Sequence, residues 1–83
     1  MLLVMKTKMI DLSKFDAIRC RSSFLGDGYV VEAIRHEHNS VASEDIASFK
    51  TEKSATLLIS SIASKMAFGE ELFNLDDWAK NFG

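Results

Sequence analysis

The stretch TEKSATLLISSIASKMAFG, residues 51–69, decides the fold of this 83-residue chain. Thr51 is a suitable N-cap, and Gly69 stands where the end of a helix favours a left-handed residue. The apolar side chains between them recur at helical spacing and form one stripe, which consists of Ala55, Leu58, Ile59, Ile62, Ala63 and Met66. The pattern predicts one long helix over about 52–68 that buries this stripe against the rest of the chain.

Upstream of this helix, a glycine-rich turn predicts a β-hairpin. Residues typical of strands flank Gly26-Asp27-Gly28 on both sides, so we expect antiparallel strands over about 16–23 and 28–37. The turn is predicted to be a two-residue loop, at either Gly26-Asp27 or Asp27-Gly28. The first of these loops places Arg21 across from Glu32. Both registers bring the same side chains to the core face, which is expected to carry Ile18, Cys20, Ser22, Phe24, Tyr29, Val31 and Ala33.

The segment between the hairpin and the long helix fits two structures. Residues 41–49 are compatible with a short capped helix or with a third strand. We favour a strand over about 44–49, because Phe49 would point away from the apolar stripe if the long helix were continued back through it. With this strand, residues 16–49 form a small antiparallel meander.

The C-terminal segment predicts a second, shorter helix. Asn74 is a good N-cap for a helix over about 75–82 that carries Trp78, the chain's single tryptophan. The predicted fold class is therefore α+β, with one long and one short helix packed on the meander. We expect residues 1–83 to form a single domain, in which 1–12 are an edge strand or a flexible arm.

Composition restricts the class of protein and its surroundings. Hydrophobic residues make up 47% and charged residues 27%, a balance typical of a globular chain. The net charge of −2 disfavours nucleic-acid binding by bulk charge. One cysteine, Cys20, requires no oxidising compartment, and neither a targeting peptide nor a membrane-spanning run is evident. We expect a cytoplasmic protein with no membrane association and no cofactor.

The pattern closest to a metal site is His36-Glu37-His38. On a strand the two imidazoles of His36 and His38 project to one face and can close on one ion. A third ligand at a suitable spacing is lacking, so we interpret both histidines as solvated residues at the end of a strand. No convergent acid, base and nucleophile can be assembled from the sequence either, and we expect no enzyme activity.

A second candidate surface is basic. Arg19 and Arg21 lie two residues apart on one predicted strand, with Lys14 nearby, and could neutralise a nucleic-acid strand. Glu32 across the hairpin opposes this reading. A nucleic-acid-associated regulator that uses this strand face is therefore the alternative hypothesis.

The most informative feature for function is an absence of charge in the long helix. Eleven consecutive residues, Ser54 to Ser64, contain no ionisable group, although the exposed side of a helix normally carries several. The side away from the apolar stripe is made of Thr56, Leu57, Ser60, Ser64 and Ala67. Such a face suits contact with another protein surface. The leading hypothesis is a non-enzymatic interaction module, an accessory or inhibitor protein that binds a protein partner, forms a homodimer, or does both. The alternative for this face is coverage within the monomer by the C-terminal helix or the N-terminal strand.

Overall fold

The computed structural model describes residues 1–24 and 26–82, and the fold is α+β, as predicted. In chain order, the elements of this part of the chain are β1 (Leu2–Val4), β2 (Met9–Asp11), a 3-10 helix (Leu12–Lys14), β3 (Ala17–Ser22), β4 (Tyr29–Glu37), β5 (Ser40–Phe49), α1 (Glu52–Ala67), β6 (Leu72–Asn74) and α2 (Leu75–Phe82). Neither helix in these residues is both long and apolar enough to cross a membrane.

Strands β3, β4 and β5 form the predicted antiparallel meander, with β4 in the centre. The segment 41–49 is a strand, as favoured. Strand β5 begins earlier than predicted, because a tight turn at His38-Asn39 lets Ser40 pair with Glu37. A register shift farther along the β4–β5 ladder accommodates Ile46 as an additional residue, whose side chain is buried.

Both predicted registers of the β3–β4 hairpin are wrong, by two residues for the Gly26-Asp27 loop and by four for the Asp27-Gly28 loop. Arg21 lies opposite Val30, and Arg19 is the residue that lies opposite Glu32. Because side chains alternate along a strand, a shift of two or four residues leaves each of them on its predicted face. The side of the sheet that meets the core was therefore predicted correctly even though the pairs were not.

The register differs because the turn is longer than a two-residue loop. The amide of Ser23 donates to the carbonyl of Gly28 over 3.0 Å, which closes the hairpin outside both predicted loops. The favoured two-residue hairpin turns have a positive φ at their first residue, and Asp27 does not have one. Phe24 consequently lies in the connection, where 86% of it is exposed, and the prediction that it faces the core is wrong.

The N-terminal residues build a second sheet that the sequence did not predict. Strand β1 lies at the centre of this three-stranded sheet, antiparallel to β2 at one edge and parallel to β6 at the other. Leu3 on β1 is fully buried and pairs with Ile10 of β2 and Phe73 of β6, both of which are also buried. Residues 1–12 thus contribute to the core. Of their two strands, β1 is central and β2 lies at an edge of the sheet.

Helix α1 packs against the meander and joins the two sheets into one core. Thr51 caps the helix as predicted, with its Oγ1 accepting a hydrogen bond from the amide of Ser54 over 3.2 Å. The buried cluster contains Leu3, Ile10, Leu12, Val31, Ala33, Ile46, Ala55, Leu58, Ile62, Phe73 and Leu75. The predicted apolar stripe is only partly buried, because Ile59 is half-buried while Ala63 and Met66 are exposed.

Helix α2 follows β6 directly and has the predicted N-cap. The Asn74 side chain accepts a hydrogen bond from the amide of Asp77 over 3.1 Å. Trp78 is half-buried, and its ring meets Phe49 edge to face with 6.1 Å between centroids. The tryptophan therefore joins α2 to the end of β5.

The backbone of Gly28 gives a prediction for stability. Its φ is +139°, and a Cβ added there would lie 2.9 Å from the carbonyl oxygen of Phe49. We expect Gly28→Ala to lower the free energy of unfolding by about 2 kcal/mol, since both the strained φ and the clash must be absorbed. Gly26→Ala is the control, because nothing lies within 4 Å of its Cβ position. Urea unfolding followed by Trp78 fluorescence measures both, and equal stabilities of the two variants would contradict this account.

Candidate functional site

The exposed side of helix α1 is the surface predicted for protein contact. We call it the α1 outer face, and it consists of Thr56, Leu57, Ser60, Ser64 and Ala67, all of which are exposed. The opposite side of the helix buries Ala55, Leu58 and Ile62, and this burial fixes which side chains point outwards. The described part of the chain therefore leaves these five residues uncovered, which removes the alternative that α2 or β1 covers them.

Large apolar side chains accompany this uncharged surface. Leu57 is 41% exposed, and Phe68, which caps the helix, is 84% exposed. Such side chains lose unfavourable contact with water when another surface covers them. Serine and alanine between them cost little side-chain entropy on burial and let a neighbouring backbone come close. Covering the α1 outer face would therefore cost little side-chain entropy and would remove apolar surface from water.

One flank of the α1 outer face is a cleft against the C-terminal elements, which we call the Trp78 cleft. It has a volume of about 350 Å³ and is lined by Ser60, Ser61, Ser64, Lys65, Phe73 and Trp78. The indole Nε1 of Trp78 donates to Ser61 Oγ over 3.0 Å, and that hydroxyl donates to the carbonyl of Leu57 over 2.9 Å. These bonds fix the wall of the cleft to the helix.

The other flank is an apolar groove, which we call the β3 groove. It lies between α1 and the start of β3, has a volume of about 270 Å³, and is lined mainly by Phe15, Ala17, Ile18, Ile59, Ala63 and Met66. Ala63 and Met66 are the two members of the predicted core stripe that the structure leaves exposed. Periodicity alone could not reveal this groove, because a stripe that is half covered has the same sequence pattern as one that is fully buried.

The strand face with Arg19 and Arg21 holds a buried carboxylate. The Glu32 side chain is 2% exposed, and it accepts hydrogen bonds from Arg19 Nε over 2.7 Å and from Arg21 Nε over 3.0 Å. Arg21 also donates to Asp45 over 3.2 Å. Burial raises the pKa of Glu32, but the hydrogen bonds and charges of the two arginines outweigh burial and hold that pKa below its usual range. Glu32 is therefore an ionised anchor for both guanidinium groups.

This pairing bears on the nucleic-acid alternative. Two carboxylates already offset the charges of Arg19 and Arg21. Lys14 ends the 3-10 helix and lines a separate surface groove with Phe15 and Arg35. Binding of nucleic acid through Arg19, Arg21 and Lys14 stays a prediction.

The histidine pair is not arranged as a metal site. His36 lies on β4, but His38 lies in the turn that follows, so the two do not share a strand face as expected. The Asp16 carboxylate accepts the backbone N–H of His36 over 2.6 Å and lies 3.1 Å from its Nδ1. These bonds lower the pKa of Asp16. No group of three or more possible metal ligands occurs within residues 1–24 and 26–82.

Comparison with protein-family models, with curated proteins and with solved structures finds no significant match to this chain. The case for a function therefore depends on the surfaces themselves. Of the candidate surfaces, the α1 outer face is uncharged, exposed and flanked by apolar side chains. The arginine face is internally paired, and only one of the two histidines lies on a strand.

The buried carboxylate gives a prediction with a defined pH dependence. Replacing Arg19 and Arg21 together by Met keeps their apolar stems but leaves Glu32 buried without cations. We expect a loss of about 3 kcal/mol in the free energy of unfolding at pH 7. Arg35→Met is the control, since it removes an exposed ion pair with Glu37 and a contact with the Phe15 ring at 6.0 Å, and should cost under about 1 kcal/mol.

The pH dependence of the free energy of unfolding should differ between the double variant and the natural chain. The pKa of Glu32 is lowered in the folded chain, so its contribution to stability is present above the pKa of an unfolded glutamate. That contribution is lost as the pH falls through the lowered folded pKa. In the double variant only burial acts, the folded pKa lies above the unfolded one, and the deficit should shrink as the pH falls from 7 to 4. A deficit that is constant across this range would contradict the assigned role of Glu32.

Proposed function

We propose that this chain is a small, non-enzymatic protein-interaction module that pairs with a second copy of itself through the α1 outer face. The observation that carries the proposal is the exposure of an eleven-residue uncharged helical segment, Ser54 to Ser64, which includes the apolar side chain of Leu57 and is followed by that of Phe68. A module of this kind would serve as an accessory or inhibitor protein, by bridging or occluding a protein partner.

A second copy is the occupant that the pattern of side chains favours. In a two-fold interface the same patch serves both subunits, so each residue must be compatible with its symmetry mate. If two α1 helices cross antiparallel at Ser60, Thr56 of one copy approaches Ser64 of the other, and Leu57 approaches Ala63. Each of these pairs is neutral and combines residues small enough for close helix packing.

The charges at the ends of the segment are also compatible with this pairing. In the same register Lys53 approaches Ala67 of the second copy rather than another cation. The two Lys53 residues are separated by fourteen helical positions, which corresponds to about 21 Å and exceeds the screening length in physiological salt. The antiparallel arrangement also directs the two helix dipoles in opposite directions, which is favourable. No like-charge contact therefore opposes association along the α1 outer face.

The proposal predicts the effect of a charge at its centre. Ser60→Arg would place two guanidinium groups next to each other on the symmetry axis, so we expect the dimer dissociation constant to rise by about 100-fold or more. Light scattering during size-exclusion chromatography should then give the 9.3 kDa monomer where the natural chain gives twice that mass.

Ser40→Arg is the matched control, because this exposed serine begins β5 at the far end of the hairpin. It makes the same change in charge and should leave the dimer intact. Both variants should unfold within about 0.5 kcal/mol of the natural chain. A natural chain that stays monomeric at every concentration, or a dimer that Ser60→Arg does not weaken, would refute the proposal.

A further inference from the structure

The free edge of strand β3 adjoins the β3 groove, and the two together have the features of a peptide site. Strand β3 is an outer strand of the meander, and no strand within residues 1–24 and 26–82 pairs with its other side. An unpaired strand edge offers a row of backbone donors and acceptors to an extended chain. This surface borders the α1 outer face at Ala63 but includes none of the five residues that define that face.

The pairing of β3 with β4 shows which backbone groups are available. In an antiparallel ladder, hydrogen-bonded and non-hydrogen-bonded pairs alternate. The bond from the Ser23 amide to the Gly28 carbonyl fixes this alternation, so Arg19 and Arg21 direct their backbone groups towards β4. Ile18 and Cys20 therefore direct their N–H and C=O groups outwards. These four groups are spaced to bond to an added strand.

The groove supplies apolar contact on one face of such a strand. The side chains of Ile18 and Cys20 point to the side of the sheet that α1 covers, and both are half-buried. Ile59, Ala63 and Met66 form the opposite wall, across a volume of about 270 Å³. Alternate side chains of an added strand would enter this groove, and burying them would favour binding.

On the opposite face of the added strand, Arg19 favours an acidic side chain. Its side chain is 55% exposed, and it bonds to Glu32 through Nε, so its two terminal guanidinium nitrogens are available to a second partner. A carboxylate at the adjacent position of an added strand could pair with these nitrogens. The same cation argues against a second copy, because antiparallel pairing of two β3 strands would place Arg19 opposite Arg21.

We propose that the edge of β3 and the β3 groove bind an extended peptide by strand addition, and that this peptide carries alternating apolar and acidic residues. The backbone of the peptide bonds to Ile18 and Cys20. Its apolar side chains enter the groove, and an acidic side chain pairs with Arg19. Recognition of this type takes affinity from main-chain hydrogen bonds and specificity from alternate side chains.

The decisive variant is Cys20→Pro. Proline removes the outward N–H that the peptide requires, but this N–H has no role in the β3–β4 ladder, and proline is tolerated on an edge strand. Cys20→Ala is the matched control, since it loses the same thiol and keeps the N–H.

We expect octapeptides selected on the folded protein from a random display library to alternate apolar and acidic residues. They should bind Cys20→Ala within about twofold of the natural chain and Cys20→Pro at least tenfold more weakly.

Two further variants keep the test decisive if Cys20→Pro fails to fold. Met66→Glu places a carboxylate at an exposed position of the groove and should weaken the selected peptides at least tenfold, while Arg19→Gln should weaken those with acidic residues about tenfold. Failure to select any peptide, or selected peptides that bind the folded variants as tightly as the natural chain, would overturn the inference. Ser60→Arg should leave peptide binding unchanged, so this site and the proposed dimer can fail independently.

Discussion

The packing of Leu58 and Ile62 of helix α1 against the two sheets is the constraint on which the rest of the structure depends. Both side chains are almost completely removed from water, and Ala55 allows the first turns of the helix to approach closely. This contact fixes the rotation of the helix about its axis. Once that rotation is fixed, Ser60 and its neighbours must point outwards, and Ala63 and Met66 must face the open side of β3.

The buried Glu32 imposes a second constraint, on the other face of the meander. Removing a carboxylate from water is costly unless cations and hydrogen bonds replace its hydration. Arg19 and Arg21 satisfy that requirement and are in turn held beside the central strand. The edge strand therefore has its cations at fixed positions. A charged edge of this kind opposes pairing with an identical strand while remaining compatible with an acidic one.

Much of the fold could be predicted from the sequence because its longest elements are periodic or capped. The apolar spacing from Ala55 to Ile62 and the caps at Thr51 and Asn74 are local signals, and they predicted both helices. The hairpin register depended on a turn whose φ angles the sequence did not specify. The second sheet was not predictable, since its strands have three residues each and the pairing of Leu3 with Phe73 spans almost the whole chain.

The candidate surfaces were also predictable to different degrees, depending on whether a local sequence pattern or tertiary packing forms them. The uncharged run at Ser60 is visible in the sequence, and the structure only had to show that it is exposed. The β3 groove depends on where the covered part of α1 ends, which follows from the tertiary packing of Leu12 and Ile18 and not from any local pattern. The predicted opposition of Arg21 and Glu32 identified two side chains that do form an ion pair, although Arg21 lies opposite Val30 in the ladder.

The central claim is that two copies of α1 meet at Ser60, and site-specific oxidation tests it most directly. In a Cys20→Ala background, Ser60→Cys places the only thiol of each chain on the proposed symmetry axis, whereas Ser40→Cys places it far from that axis. The account predicts rapid formation of a disulfide-linked dimer by Ser60→Cys under mild oxidant, and only slow cross-linking by Ser40→Cys, because a disulfide requires Cα atoms within about 7 Å. Equal rates for the two variants would contradict the account.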